Sequence, residues 1–342
     1  MRLRKTKHAP VQSNKGRRVR RYARSNKAVQ SMLVRRHSRY TPLAISGMVK
    51  TELYMIWRTG SAAGGNRGIA DQARVGHQAT PMTDPVEPIR SPVLAVPHAF
   101  FTRTGGVSSG TFATLNCSLS SNDSPNAILK NRARAARALG LAPDRLVGVN
   151  QVHGTRVVEV TAPWAPGGGP PADAMVCRRP RIGLGIITAD CAPVLFADAG
   201  IGVVGAAHAG WRGAVGGILE ATLQAMQRLG ARKSRVIAAI GPCIAQASYE
   251  VGPDLREAVV GRGAVYERFF APGRRPNRWQ FDLAGFCTAR LQAAGVAVID
   301  RIEADTMTNE ARFFSHRRRT LSGGGPIGHQ ISIICAGLAA KC

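Results

Sequence analysis

The chain has 342 residues, with 47 Lys and Arg against 20 Asp and Glu, and a formal net charge of +27. The charge is uneven: residues 1–81 carry 18 basic side chains and two acids, Glu52 and Asp71, whereas the rest carries 29 against 18. No uninterrupted apolar run approaches the ~18 residues of a membrane helix. The seven cysteines (117, 177, 191, 243, 287, 335 and 342) lack the short regular spacing of a disulfide scaffold, which points to free thiols in a reducing compartment, the cytoplasm.

Residues 1–51 contain no acidic side chain and too little apolar surface to order themselves. Three readings stay open. The segment is a basic arm whose Lys and Arg neutralise nucleic-acid phosphates, an Arg-rich targeting peptide without a secretory apolar core, or an upstream stretch that does not belong to the functional protein, whose start is then Met82. Residues 60–81 have linker composition in every case. The expected organisation is a basic extension or mis-assigned upstream start over 1–81, followed by one catalytic domain over 82–342.

From Val93 onward, β-rich apolar segments alternate with helical patterns. SPNAILKNRARAARALG (124–140) reads as a helix with Ser124 at its cap, Pro125 at the first turn and Gly140 just past its end. LVGVNQVHG and TRVVEV read as two strands broken at His153–Gly154, and RIGLGIITADCAPVLFAD as two more parted by an Asp190–Cys191 turn. GIGVVGAAHAG is a small-residue strand that delivers His208 at its end. WRGAVGGILEATLQAMQRLG then spaces Val215, Ile218, Leu219, Leu223, Met226 and Leu229 as one helix closed by Gly230. RVIAAIGP is a strand, FDLAGFCTARLQAAG a helix with Asp282 at its start, and VAVIDRI a strand. Two or more strands separate successive helices, so a doubly wound fold is excluded and a mixed-sheet α+β sandwich is expected. TGGVSSG and SGGGPIG lack phosphate-loop spacing and read as loops.

Three segments place a metal ligand beside tight glycine turns: NQVHG (150–154), TADC (188–191) and HAGWRG (208–213). Two imidazoles and a thiolate, from His153, Cys191 and His208, suit zinc or copper better than magnesium or calcium. Three protein ligands leave a coordination position open, as in a catalytic site. Asp190 and Arg212 supply a carboxylate and a cation beside them. Taken singly, each ligand is as well explained by a satisfied core histidine or a buried inert thiol. Their shared position at strand ends favours chemistry.

The run from FFTRTGGVSSGTFATLNCS through NQVHG, ADAMV, TADCAPVLFAD, GVVGAAHAGWRGAVGGILEATLQAM, AAIGPCIAQASYEVG, FDLAGFCTARLQAAGV and FFSHRR resembles the YfiH family over about residues 93–336. That family is variously described as multicopper polyphenol oxidase (laccase-like), peptidoglycan editing factor and purine nucleoside phosphorylase. The resemblance implies a single mixed-sheet domain with flanking helices, similar to bacterial cytotoxic necrotising factor catalytic domains. It places the metal triad on His153, Cys191 and His208, the TRxGG arginine on Arg103 and a Leu-Asn pair on Leu115–Asn116. Two positions depart from the family pattern: His316 stands where FFSYRR has tyrosine, and Gly328–His329, after a glycine-rich insertion, where a Gly-Arg is usual.

The resemblance implies a zinc-dependent (copper possible) phosphorylase, monomeric or homodimeric, that acts on adenosine, inosine, guanosine and methylthioadenosine with phosphate. Adenosine deamination is its implied side activity. Catalysis is expected from Cys191, His208 and Asp190, and substrate binding from Arg103, Asn116 and Arg212. Arg103 and Arg212 are suited to phosphate because a planar guanidinium grips two oxygens at once. Two alternatives stay open: a cysteine amidase that edits peptidoglycan precursors with Cys191 as nucleophile and His208 as base, and a polyphenol oxidase. The latter wants several copper sites, whereas the folded part holds only His98, His153, His208, His316 and His329.

Overall fold

A computed structural model describes residues 85–337, and the basic segment 1–81 lies outside the described residues. The chain runs β1 (Pro88–Ile89), β2 (His98–Phe101), α1 (Pro125–Arg137), β3 (Leu146–Val147), β4 (Val157–Glu159), β5 (Ala174–Cys177), β6 (Gly183–Thr188), β7 (Ala192–Asp198) and β8 (Val203–Ala209). It continues with α2 (Trp211–Gly216), α3 (Ile218–Arg228), β9 (Ile237–Ile240), β10 (Glu250–Val251), α4 (Pro253–Val260), β11 (Phe270–Pro272), β12 (Trp279–Phe281), α5 (Leu283–Ala293), β13 (Val298–Arg301), α6 (His316–Leu321) and β14 (Gln330–Cys335).

Two mixed sheets form the sandwich. One has the order β1-β2-β14-β6-β3 and the other β13-β9-β7-β8-β5-β4, while β10-β12-β11 make a small third sheet. The long strands β7, β8 and β14 are buried at every position. Their sequences accordingly read as near-continuous apolar runs rather than alternations. Phe100, Leu184, Ile186 and Ile334 of the five-stranded sheet meet Met175, Leu195, Val204 and Ala206 of the six-stranded sheet in the central core. The outer face of the six-stranded sheet packs on α3 and α5 through Val194, Phe196, Ala207, Leu219, Leu223 and Phe286. On the other side, α1 lays Ala135 and Ala136 against Phe101, Ile331 and Ile333. The expected mixed-sheet sandwich with flanking helices is therefore the observed architecture.

Local chemistry explains several boundaries. Asp282 caps α5 by accepting from Gly285 N at 2.7 Å. Ser124 sits at the cap position of α1, but its side chain makes no capping bond. The single helix expected over 211–230 is two. Gly217 has φ +103, which ends α2 and begins α3 in a left-handed conformation that glycine adopts without strain. The strands expected over 146–160 shrink to β3 and β4, and these belong to different sheets. The intervening NQVHG stretch is held by a single backbone bridge from Asn150 to Pro171 and by side-chain bonds of Gln151 and Asp173.

The chain changes sheet at both ligand-bearing turns. β3 and β6 lie in the five-stranded sheet, β4 and β7 in the other, so residues 148–156 and 189–191 are the crossovers. At a third point of contact, Gly241 follows β9 and faces Phe100 of β2, where a Cβ would collide with the ring. Gly241→Ala is expected to lower stability by about 1–3 kcal/mol through overpacking between the sheets. Urea denaturation monitored by circular dichroism would measure this, and an unchanged midpoint would contradict the packing described.

Candidate active site

The TADC and VHG crossovers converge on the end of β8. Asp190 and His153 both adopt left-handed backbone, with φ +86 and +59, which non-glycine residues hold only when their surroundings fix them. The ligand atoms of His153, Cys191 and His208 all lie within 4.8 Å of one another, and the two imidazole rings are edge to face with centroids 4.7 Å apart. Gly210 packs directly over them: a Cβ there would sit 3.0 Å from Cys191 Sγ and 3.1 Å from His153 Cδ2. The glycine of HAG is thus favoured by space, not by a turn.

Asp173, fully buried just before β5, organises this cluster. Its carboxylate accepts the backbone N–H groups of His153 at 2.9 Å and Gly154 at 2.6 Å, and contacts His208 Nδ1 at 2.9 Å. Its backbone oxygen accepts from His208 N at 2.7 Å. One side chain therefore sets the VHG turn and orients the His208 ring. With Nδ1 turned to the carboxylate, Nε2 is directed to the ligand cluster, the usual carboxylate–histidine support of a metal site.

The electrostatics follow from this packing. Burial works against the charge on Cys191, but the neighbouring His208 and His153 outweigh it and hold the thiol below its ordinary range. Burial likewise opposes charge on His208, yet the Cys191 thiolate and Asp173 raise it. Near neutral pH the pair is a thiolate and an imidazolium. For Asp173, burial is overcome by the bonds from His208, Gly154 and His153, and its carboxyl stays below the usual range.

The cluster opens into a cavity of about 690 Å³, large enough for a nucleoside-sized ligand. Arg212 lines it, exposed and stacked 4.6 Å from the Trp211 ring centroid. Asp190 also lines it, but its carboxylate is occupied: it accepts from Thr306 Oγ1 at 2.6 Å, Ser315 Oγ at 3.0 Å and Arg317 N at 2.6 Å. Arg103 and Asn116 stand outside the cavity lining. Arg103 donates to the carbonyls of Ala113 and Glu310 and lies 4.4 Å over the Phe314 ring. Asn116 is buried, donating to Ser121 and Asp123 and accepting from the backbone of Ser118 and His329.

Sequence reasoning did not single out Asp173, Tyr249, His316, Arg317 or His329 as site residues, and the last four line the cavity. Burial keeps the Tyr249 phenol protonated, and burial with nearby His208 takes His329 down to about 4, so it is a neutral imidazole. Both histidines that depart from the family pattern thus face the same space. An acid directly before a strand carries no local signal, so Asp173 was visible only through the ADAMV run.

The donor set fits a borderline-soft metal, and two measurements test it. Asp173→Asn is expected to weaken zinc binding by about 10–100-fold, read by competition with a chromophoric chelator. Because His208 is raised and Cys191 lowered, zinc uptake near neutral pH must displace the His208 proton, about one per metal. Release should fall toward zero above the raised range of His208 and grow below the lowered range of Cys191. Calorimetry in buffers of different ionisation enthalpy measures it, and no proton release at neutral pH would overturn the charge assignment.

A family model described as multi-copper polyphenol oxidoreductase laccase matches residues 97–337. A Deinococcus radiodurans protein named purine nucleoside phosphorylase is 46% identical over 244 residues, covering 69% of this chain and 90% of that protein. A Streptomyces griseus protein of the same name is 41% identical, covering 68% and 94%. Among solved structures, a Neisseria meningitidis protein superposes with a TM-score of 0.67 at 33% identity, covering 75% of this chain and 100% of that one. The Bacillus licheniformis hypothetical protein YfiH gives 0.65 at 28%, covering 70% and 91%. The chain belongs to the YfiH family, the multi-copper polyphenol oxidoreductase laccase family of the sequence model.

Proposed function

We propose that the protein is a metal-dependent purine nucleoside phosphorylase that converts adenosine, inosine, guanosine and methylthioadenosine, with phosphate, to the free base and ribose 1-phosphate. Adenosine deamination is its proposed side activity. The observation that carries this reading is the three-ligand cluster of His153, Cys191 and His208 opening into a nucleoside-sized cavity, in a chain whose relatives are named for that reaction. Zinc, with copper as the other candidate, would be held by those three side chains and would supply Lewis acidity and an activated water for deamination.

The chain's own groups divide the remaining work. Asp173 holds His208 in one orientation and fixes the turn that carries His153. The Tyr249 hydroxyl and the neutral rings of His316 and His329 offer hydrogen bonds to the polar edge of a purine. Arg212, at the same wall, offers charge to anionic oxygens. Asp190 acts through position: it ties the TADC turn to the 306–317 segment and so holds Cys191 in register. Arg103 and Asn116 support the site from behind, the first against Phe314 and the second by fixing the backbone of His329.

A second reading is favoured by one observation. Cys191, His208 and Asp173 form a contiguous thiolate, imidazole and carboxylate, the order of a cysteine amidase relay. The same sulfur cannot be both a tight metal ligand and a free nucleophile, so metal dependence separates the two. A multicopper oxidase fits least: one cluster of metal-ligating side chains occurs among the described residues. His98 is spent on Val96 O and Ser91 N.

Incubation of the zinc-loaded protein with adenosine is expected to yield adenine and ribose 1-phosphate only when phosphate is present, and inosine without it. Chelation or His153→Ala should abolish both products. Base release independent of phosphate, or activity that survives metal removal, would reject the phosphorylase in favour of another use of the site.

A further inference from the structure

Arg132 is the most unusual charged residue outside the ligand cluster. It lies on α1, buried, and belongs to the cavity lining together with Cys117, Gly148 and Gly185. Among the described residues its one hydrogen bond is a long one, from Nη1 to the carbonyl of Cys117 at 3.3 Å, and Nη2 finds no partner there. It makes no salt bridge with any described acid, and the adjacent Cys117 thiol is pushed up to about 12 by burial and stays neutral. A buried guanidinium without a counter-ion or a full set of acceptors is costly, so a fold that retains one at a cavity wall gains from an anion that fills the place.

The surroundings suit an oxyanion. Gly148 lines the same wall and packs its backbone against the guanidinium, where a Cβ would come 3.5 Å from Arg132 Nη2. A guanidinium with donors to spare is what a tetrahedral oxyanion takes. The other arginines fit less well. Arg317 is engaged with the Glu250 carbonyl and stacked over Tyr249, and Arg212 is exposed, where its charge is screened by solvent.

We propose that Arg132 anchors a phosphate-binding subsite in the wall of the cavity. The choice of inorganic phosphate as occupant rests on the phosphorylase reading, whereas oxyanion binding at Arg132 does not. Arg212 then serves the cavity mouth rather than the co-substrate.

The test uses the full-length zinc-loaded protein and inorganic phosphate as the probe, with adenosine as a second ligand. Thermal-shift titration is expected to show phosphate stabilisation in the wild type. That response should need about tenfold or more phosphate in Arg132→Gln, reflecting the loss of a charge-assisted bond, while the adenosine response remains. Arg132→Lys should retain part of it. Arg134→Gln, on the same helix but bonded to Gly105 and Gly106 outside the cavity, should retain all of it. Equal phosphate responses in wild type and Arg132→Gln would overturn the proposal. If Arg132→Gln does not fold, a crystal of the wild type grown with phosphate decides: the anion within hydrogen-bond distance of Nη2 supports the subsite, and an anion bound elsewhere, or none, rejects it. Phosphate bound at Arg132 without release of base would reject the phosphorylase and keep the subsite. Phosphate-dependent base release with an unchanged KM for phosphate in Arg132→Lys would do the reverse.

Discussion

The carboxylate of Asp173 connects parts of the chain that would otherwise have no reason to meet. It draws the amides of His153 and Gly154 inward on one side and holds His208 Nδ1 on the other, in a place fully closed to solvent. In that environment each bond is stronger than it would be in water, and losing one leaves a buried charge unpaired. The left-handed backbone of His153 is tolerated because these bonds over-determine it. The carboxylate is therefore part of both the fold and the site: it shapes a crossover between sheets and sets which nitrogen His208 offers.

A parallel arrangement acts on the other crossover. Asp190, also left-handed, bonds to Thr306, Ser315 and Arg317 N, which come from a segment more than a hundred residues later. Cys191 is placed by its neighbour Asp190 as well as by its contacts with the two imidazoles. Two acids thus aim two ligands, and the third ligand rides on β8, a strand buried along its whole length. The small residues of that strand serve this geometry. A Cβ on Gly205 would already stand 3.1 Å from Met226 Sδ, so the helix behind the site can approach closely.

Much of this was legible in the sequence because the signals are local. The small-residue run ending in His208, the TADC turn and the helix behind Asp282 depend on neighbours within a few positions, and each of the three ligands sits in its own short motif although only the fold brings them together. What escaped depends on distance. β14, the strand between β2 and β6, has no turn or period that reveals its central place. The break at Gly217 was hidden because the apolar spacing continues across it. Arg103 and Asn116 read as binding groups from their motifs, yet the structure surrounds each with acceptors and donors from remote segments. Asp173 and Arg132 were missed for the same reason: an acid before a strand and an arginine on a helix look ordinary until their partners, or the lack of them, are known.

The late strand β14 also governs when the site can exist. It pairs with β2, some 230 residues earlier, and with β6, while His329 just before it bonds to Asn116. Long-range strand pairing of this kind is entropically slow. During synthesis from the N terminus, the ligands and helices of the six-stranded sheet emerge well before the strand that fills the middle of the other. A nascent chain therefore carries its Cys191 thiol beside a half-built sheet. Only the docking of this segment brings His329 to the cavity wall.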